Sequence, residues 1–432
     1  MGEEDERLEG RVKMKKKTVN VAVAKIGISI CLCFCLCLLS SSAYGSGITV
    51  SNVSASQGTG ANTGLINITY DLSADTGSID ASHPAWVFIS YSLDSTSSTL
   101  QYKRPNDSYV TGAAGIVTST GTGKSITFNW AGAGVSGVAF LNYKIKVHAI
   151  EMVLVSSGPF VMGNDSASNE ISATVTLPGF YIMRYPITIT QYTDFLNERE
   201  KDNTFQDTGG TDADFFGSGD GASYSSTYLT AYYKYDSTMS SAQYCGISRS
   251  GSAGAYTYAV TASYGAGKHN GDAPMVYISW YNTYAYAKWA GLRLPTDAEW
   301  EKTARYLTNT TSRRYSWGSS PEPDRIICNM NSNIGYTTDV NYYEDIWSSL
   351  SLATPYGAKE MTGNAWQWVN TIWYTGAYNA SNDAPAYNTT SARVGRGGSW
   401  ASAAGWMRAA ARRQYSPWGR DNEVGGRAAR SQ

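Results

Sequence analysis

The last forty residues of the chain concentrate arginine and large aromatic side chains between two glycine pairs. Arg396-Gly-Gly-Ser-Trp400 opens this segment, and Val424-Gly-Gly-Arg427 lies near its end. Residues 391–432 contain eight Arg against two acidic residues, a net charge of +6, although the whole chain has a formal charge of −1. A cationic surface at this end would attract acidic partners. The alternative is a set of arginines inside the fold, which we expect for Arg396, Arg408, Arg412 and Arg427.

Residues 46–149 contain five short runs of β-branched and aromatic residues, divided by clusters of Gly, Ser, Asn and Asp. The runs cover residues 48–53, 65–70, 85–91, 124–130 and 143–149. Such runs are typical of the strands of a small all-β sandwich. The composition agrees, because only 16% of the residues are charged and the chain contains 32 Tyr and 43 Gly. We expect this sandwich to act as a spacer without chemistry of its own.

One helix start is clearly marked in the C-terminal part of the chain. Thr296 and Glu299 follow Pro295 with the Thr-x-x-Glu spacing of a capping box, in which each side chain satisfies an amide of the other residue. Trp300, Ala304 and Leu307 then form one apolar stripe at positions i, i+4 and i+7. The pattern predicts an amphipathic core helix, so these residues indicate fold and not chemistry.

Four separated blocks of the sequence resemble the formylglycine-generating enzyme family, also called the sulfatase-modifying factor family. The blocks are residues 158–163 with 180–192, 273–280 with 287–301, 356–368, and 396–400. They follow the family's order across about 280 residues, roughly two thirds of the chain. The resemblance implies an α+β fold of the C-type lectin type for residues 150–432. The sandwich before it resembles immunoglobulin-like or fibronectin-like modules.

The resemblance also bears on catalysis. Members that make formylglycine use two cysteines soon after the Gly-Gly-Ser turn to bind copper, because Cu(I) requires soft thiolate ligands. Here Ser402 and Met407 stand where those cysteines would be sought, and no cysteine follows Cys328. A hydroxyl and a thioether do not replace that pair. We therefore expect a non-catalytic protein, with an active formylglycine-generating or related oxidase as the alternative.

Few other residues suggest a metal or cofactor. The three histidines, His83, His148 and His269, form no His-x-x-x-His pair and no Cys-His cluster, so no zinc or iron site is predicted. Calcium is the one cofactor that the resemblance implies. The candidate ligands are Asn329, Asn331, Asn333 and Asn364. Gln367 replaces an acid that is common in the family, which weakens the site because calcium prefers anionic oxygen ligands.

Residues 1–45 have the pattern of a signal peptide. A basic stretch at Met14–Lys17 precedes an apolar run over residues 26–39, and Ala43-Tyr-Gly45 supplies a small-x-small cleavage signal. We expect a secreted or cell-surface protein without a membrane span in the mature chain. An uncleaved membrane helix and a lipid anchor on a cysteine of residues 31–37 are the alternatives.

Two further features are less specific. Cys245 and Cys328 are the cysteines outside the first 45 residues, and their pairing in an oxidising compartment could add about 4 kcal/mol. Two buried free thiols are the alternative. Residues 205–270 form a Gly-, Ser-, Thr- and Tyr-rich insertion. Loops of this length are often functional, although a solvated loop without a ligand is equally consistent with the composition.

Residues 396–427 resemble the variable region of proteins diversified by retroelements. In those proteins, adenine-directed mutagenesis alters surface residues on a rigid C-type lectin scaffold. Many positions here carry Ala, Ser, Gly, Arg or Tyr, which Asn codons can become. Trp406, Gln414, Trp418 and Glu423 depart from that pattern. The predicted ligand-binding residues are Ala401, Ser402, Ala404, Trp406, Ala411, Arg413, Tyr415, Ser416, Trp418, Gly419 and Arg420.

The sequence thus predicts a monomeric binding protein whose C-terminal face contacts a protein or glycan ligand at a surface. The aromatic and arginine residues of that face are the types that anchor interfaces. No nucleic-acid partner is expected. A glycan-binding or structural adhesin is a further alternative.

Overall fold

The computed structural model describes residues 43–44, 47–59, 62–74, 79–92, 102–103, 107–134, 144–163, 170–199, 246–251, 257–261, 271–305, 313–343, 352–383 and 391–432. The predicted signal peptide lies outside these residues, apart from positions 43–44. Most of the predicted insertion 205–270 also lies outside them. Across the described part of the chain, no helix is long and apolar enough to cross a membrane.

The N-terminal part is built from antiparallel strands. In chain order they are β1 (Ala43–Tyr44), β2 (Ile48–Gln57), β3 (Leu65–Ala74), β4 (Ala85–Ser92), β5 (Tyr102–Lys103), β6 (Val110–Gly112), β7 (Gly115–Val117), β8 (Gly121–Asn129) and β9 (Lys144–Val155). One sheet has the order β1-β2-β3-β8-β6. Its apolar side chains alternate along β3 and pack against those of β4 and β9, which leaves residues such as Ile68, Phe128 and Val147 fully buried. All five predicted runs are confirmed as strands.

The long strand β9 joins this region to the C-terminal part. The next strands are β10 (Gly158–Met162), β11 (Ala173–Leu177), β12 (Phe180–Met183), and the hairpin of β13 (Ile247–Ser250) and β14 (Thr257–Val260). Strand β9 pairs with β4 and with β12, so one sheet takes strands from both sides of residues 149 and 150. The predicted domain boundary falls within β9. The division into 46–149 and 150–432 stays a prediction.

A four-stranded sheet positions the C-terminal residues. It consists of β15 (Trp366–Ile372), β16 (Arg393–Arg396), β17 (Arg412–Tyr415) and β18 (Val424–Gly426), in the order β17-β16-β15-β18. Strand β18 runs parallel to β15, whereas the other two pairs are antiparallel. The last strand, β19 (Ala429–Ser431), leaves this sheet and pairs with β12. The segment between β16 and β18 is therefore anchored at both ends and in the middle.

Three helices complete the described C-terminal part: α1 (Ile189–Arg199), α2 (Trp280–Trp289) and α3 (Asp297–Arg305). The predicted capping box of α3 is confirmed, because the Glu299 amide donates to Thr296 Oγ1 at 3.1 Å and the Thr296 amide to Glu299 Oε2 at 2.9 Å. Trp300 and Ala304 are fully buried as predicted. Leu307 lies outside the described residues. The mixture of helices and antiparallel strands confirms the α+β fold class.

Candidate functional site

Most arginines of the C-terminal segment are structural. Asp297, at the start of α3, accepts from Arg396 Nε, and it accepts from Arg412 Nε at 2.8 Å. Glu301, one turn later, accepts from Arg396 Nη2 at 2.9 Å and from Arg305 Nη1 at 3.0 Å. Burial alone would raise the pKa of Asp297, but the two guanidinium groups hold that pKa below its usual value. This buried network ties β16 and β17 to α3.

The second structural arginine group lies at the end of the segment. Arg427 is fully buried and donates to Gln367 Oε1 at 2.9 Å and to the carbonyl of Arg184 at 2.7 Å. Burial lowers the pKa of Arg427 to about 9, an effect that the Glu360 carboxylate opposes. Gln367 Oε1 also accepts from Trp300 Nε1 at 2.8 Å. Arg408 is half-buried and pairs with Glu170. The expectation of arginines inside the fold is therefore confirmed for Arg396, Arg412 and Arg427, and the four arginines together are named here the frame.

The eleven predicted ligand-binding residues fall into three groups by exposure. Ser402 and Ala411 are in the interior, with exposures of 6% and 0%. Nine others reach solvent and are named here the C-terminal face. Ala404, Trp406 and Ser416 are exposed, and the half-buried members are Ala401, Arg413, Tyr415, Trp418, Gly419 and Arg420. Ser is mostly an exposed residue type, and Ser402 is buried here through its hydrogen bonds within the turn. Ala is often buried, a signal that the sequence prediction did not use for Ala411.

The turn after β16 shapes one part of this face. Gly397 and Gly398 have φ angles of 99° and 76°, which favour glycine. A Cβ at Gly398 would lie 2.3 Å from Met407 Cε, so the turn is closed tightly over Met407. A short 3₁₀ turn at Ala404–Trp406 follows. It brings the Trp406 ring edge-on to Trp366, with 5.7 Å between the ring centroids and 39% of Trp406 exposed.

The middle of the face is an aromatic bed under one arginine. Tyr415, on β17, contacts Trp368 and Trp366 with ring centroids 5.4 and 6.2 Å apart. The guanidinium carbon of Arg413 lies 4.8 Å from the Tyr415 centroid and 5.8 Å from that of Trp366. Burial raises the pKa of the Tyr415 phenol. The structure therefore gathers Trp406, Arg413 and Tyr415 around Trp366.

The far end of the face is fixed by helix α2. Trp418 packs on Tyr281 with ring centroids 4.3 Å apart, and the amide of Trp280 donates to the carbonyl of Pro417 at 3.1 Å. The N-terminus of α2 is closed by a capping box between Ser279 and Asn282. Sequence reasoning missed Tyr281 and Trp366 as supports of the face. Trp366 could have been found from its place in the family block 356–368, whereas nothing in the sequence marked Tyr281.

The positions of the family's catalytic cysteines do not form a metal site of that kind. Ser402 Oγ accepts from the Ser399 amide at 3.1 Å and from Trp366 Nε1 at 3.1 Å. Its hydroxyl therefore supports the turn and the aromatic bed. Met407 is fully buried beneath Gly398. A hydroxyl and a thioether in these roles do not provide the thiolate pair that copper would need.

The four asparagines predicted as calcium ligands separate into a buried pair, Asn329 and Asn364, whose side chains are hydrogen-bonded at 3.2 Å, and an exposed pair. Asn331 and Asn333 are exposed. Asn364 is buried, and its Oδ1 accepts from the Thr338 amide at 2.9 Å while its Nδ2 donates to Glu360 Oε2 at 3.0 Å. Asn329 Nδ2 donates to the Tyr336 carbonyl at 2.8 Å, and only its Oδ1 is buried without a hydrogen bond. Thr338 Oγ1 and Asn341 Oδ1 are also buried without a hydrogen bond. Calcium prefers anionic oxygen ligands, and no group of three or more acidic, His or Cys residues that could hold a metal occurs in the described ranges.

Of the two cysteines that could pair, only Cys328 lies in the described part of the chain. Cys328 is buried and free, with its Sγ 3.8 Å from the carbonyl of Asp324. Burial raises the pKa of its thiol. Cys245 lies outside the described residues.

Several known proteins share the C-terminal part of this sequence. Residues 141–432 match the family described as the sulfatase-modifying factor enzyme 1-like domain. Hercynine oxygenase of Mycolicibacterium smegmatis is 28% identical over 272 residues, which are 59% of this chain and 55% of the relative. The formylglycine-generating enzyme of Streptomyces coelicolor is 37% identical over 168 residues, which are 36% of this chain and 52% of the enzyme. The chain spans about half the length of these relatives.

Among solved structures, Treponema denticola variable protein 1 is 17% identical and superimposes with a TM-score of 0.42. The superposition covers 66% of this chain and 96% of that protein.

Proposed function

Because the chain belongs to the sulfatase-modifying factor enzyme 1-like family, we propose that it uses this scaffold as a non-catalytic ligand-binding protein. The binding site in this proposal is the C-terminal face. One observation carries it. Within a single segment, the frame arginines turn inward to carboxylates and carbonyls, whereas Trp406 and Arg413 reach solvent and both contact the ring of Trp366.

The rigidity of the frame supports this proposal. The salt bridges from Asp297 to Arg396 and Arg412 are fully buried, so side chains of the face can change without loss of the anchors beneath them. Exposed aromatic and arginine side chains on a preorganised surface are the usual anchors of protein interfaces. A protein ligand therefore fits this face better than a small molecule, which would require an enclosed pocket.

The absence of formylglycine chemistry is the second part of the proposal. It rests on the residues that replace the catalytic cysteines, since Ser402 is committed to the turn and Met407 to the core. The direct test is incubation of the purified protein with copper and a cysteine-containing peptide. We expect no aldehyde product by mass spectrometry. Copper-dependent aldehyde formation would show that the chain is an oxidase and overturn this part.

Diversification of residues 396–427 by a retroelement is also part of the proposal. It rests on the Ala, Ser, Gly, Arg and Tyr residues of this segment, which Asn codons can become. Two residues that depart from the pattern have structural roles, because Glu423 accepts from Ser399 Oγ and Trp418 packs on Tyr281. Trp406 likewise contacts the Trp366 ring, and Gln414 has no structural explanation. The test is a search of neighbouring DNA for an imperfect repeat of these codons that differs at adenines, beside a reverse transcriptase gene. Without such a repeat the diversification is rejected.

We also propose that the mature protein is secreted or displayed at the cell surface. The proposal rests on the signal-peptide pattern of residues 1–45. N-terminal sequencing of the protein from cells should find a start near Ser46, and external protease should reach the chain on intact cells or in the medium. An N-terminus at Met1 or Met14, with full protection from protease, would contradict it.

The binding site is tested with one multiple variant. Trp406, Arg413, Tyr415, Trp418 and Arg420 are replaced together by Ala, and both proteins are offered a displayed random-peptide library and a glycan array. We expect the wild type to enrich peptides and the variant to lose them while its far-ultraviolet spectrum is unchanged. Equal enrichment by the variant would place the site elsewhere. Glycan binding that a calcium chelator abolishes would favour the adhesin alternative.

A further inference from the structure

Arg413 differs from its neighbours in the C-terminal segment by the partners of its guanidinium group. Four arginines of that segment have a carboxylate of the same chain as a partner, namely Arg396, Arg408, Arg412 and Arg430. Arg413 forms no ion pair and no hydrogen bond from its side chain to any residue that the structure describes, and its contacts are to two aromatic rings. The Arg413 guanidinium group therefore lies against aromatic rings and is not paired with a carboxylate of the described residues.

The ring contacts fix where this charge is presented. The guanidinium carbon lies above Tyr415 at 4.8 Å and near Trp366 at 5.8 Å. A guanidinium that rests on a ring face keeps its N–H donors at its edges, where a planar carboxylate can bind with two hydrogen bonds. Because the Arg413 side chain is half-buried, such a bond would be less screened than one in bulk water. The arrangement is preorganised for a carboxylate.

The acidic residues of the segment have other roles. Asp421 Oδ1 accepts from the Glu423 amide at 3.2 Å, and Glu423 Oε2 accepts from Ser399 Oγ. Neither forms an ion pair with Arg413 within the described chain. The net charge of residues 391–432 is +6, which favours an acidic partner over a basic one.

We infer that Arg413 is the subsite of the C-terminal face for a carboxylate, an Asp or Glu side chain of a protein ligand. This inference rests on the proposed function, because it names the chemistry that the same face selects. Trp406 also contacts the Trp366 ring and exposes 39% of its surface. The ligand therefore presents a carboxylate next to an apolar side chain, which packs against the Trp406 ring.

Three single variants test the subsite. Arg413→Gln removes the charge, and Arg413→Lys keeps the charge but removes the planar fork. Arg314→Gln is the matched control, because Arg314 also lies over a tyrosine ring, that of Tyr315 at 5.8 Å, but pairs with Glu322 at 3.3 Å. Wild type and variants are each used to select peptides from one displayed random library. Thermal unfolding of each protein is measured alongside.

We expect peptides selected by the wild type to be enriched in Asp or Glu beside an apolar residue. Arg413→Gln should lose the acidic enrichment but keep the apolar one, and should bind a wild-type-selected peptide about tenfold more weakly. The affinity of Arg413→Lys for that peptide should lie between those of the wild type and Arg413→Gln. Arg314→Gln should behave as the wild type.

Four results would overturn the inference, in different ways. Acidic enrichment that persists in Arg413→Gln, or apolar peptides without acids selected by the wild type, would remove the carboxylate subsite and leave the binding face intact. Failure of the folded wild type to enrich any peptide would contradict the proposed function itself, and the subsite with it. A lowered unfolding temperature in Arg413→Gln would assign Arg413 to the frame.

Discussion

Gly398 is the residue on which the shape of the C-terminal face most depends. Its φ angle of 76° is one that L-residues rarely adopt, and a Cβ there would meet Met407 Cε at 2.3 Å. Gly405, in the same loop, is exposed, and a Cβ at that position would have no other atom within 4 Å. At Gly398 both the backbone angle and the packing require glycine, whereas at Gly405 there is room for a side chain.

Replacement of these glycines should have unequal effects on stability. We expect Gly398→Ala to lower the free energy of unfolding by about 2 kcal/mol, through backbone strain and overpacking against Met407. Gly405→Ala should change it by less than about 0.5 kcal/mol. Urea denaturation followed by tryptophan fluorescence measures both. Equal stability of the two variants would show that the turn is less constrained than its geometry indicates.

A second residue-scale prediction concerns Asp272. Burial and the nearby Asp339 carboxylate raise the pKa of Asp272 to about 7, from an ordinary value near 3.9. A folded state that holds the proton more tightly is destabilised as pH rises from about 4 to about 7. Asp272→Asn should therefore match the wild type at pH 4 and be more stable at pH 8.

The gain in the Asp272→Asn variant at pH 8 should be about 2 kcal/mol, less than the full shift implies because the group is partly exposed. Denaturant unfolding at both pH values provides the measurement. A constant difference across that range would mean that Asp272 ionises normally in the folded chain.

At the scale of elements, helix α3 holds the sheet that carries the face. Its first residue, Asp297, binds Arg396 on β16 and Arg412 on β17, and all three side chains are fully buried. Removal of one charge from such a network leaves the partner charges buried without compensation. The stability of the face therefore depends on this buried contact between α3 and the sheet.

The substitution Asp297→Asn should lower the free energy of unfolding by about 3 kcal/mol. The control is Arg314→Gln, which breaks an exposed pair and should cost less than about 1 kcal/mol. Chemical denaturation of the two variants gives the comparison. A loss at Asp297 no larger than the control would show that the buried network does not anchor the sheet.

The sequence predicted some elements better than others, for physical reasons. The α3 capping box followed from local spacing, and the five N-terminal strands followed from short runs of strand-forming residues. The burial of Ser402 did not follow, because it depends on how the turn after β16 folds back on Trp366. The burial of Ala411 did not follow either, because it depends on the packing of β16 beside it, where Arg396 donates to the Ala411 carbonyl at 3.3 Å. Asn331 and Asn333 were assigned to a metal site by resemblance, whereas the Asn331 amide donates to the carbonyl of Ser402, next to Ala401 of the face, at 3.0 Å.

At the scale of the whole molecule, one long strand links a β-rich N-terminal part to the family domain. Strand β9 pairs with β4 on one side and with β12 on the other, while the C-terminal face is built from the separate β15–β18 sheet. The described residues of the 205–270 insertion, 246–251 and 257–261, contain the paired strands β13 and β14, which contact α1 through Asn197 and Tyr258. Both the C-terminal face and these two strands present exposed residues to a ligand.

Hydrogen–deuterium exchange of the protein with and without a peptide selected from the displayed library distinguishes these surfaces directly. Binding at the C-terminal face should slow exchange at residues 401–406 and 413–420 and leave residues 246–261 and the N-terminal strands unchanged. Protection confined to residues 246–261 or to the N-terminal strands, with none at 401–406 and 413–420, would contradict a ligand site on the C-terminal face.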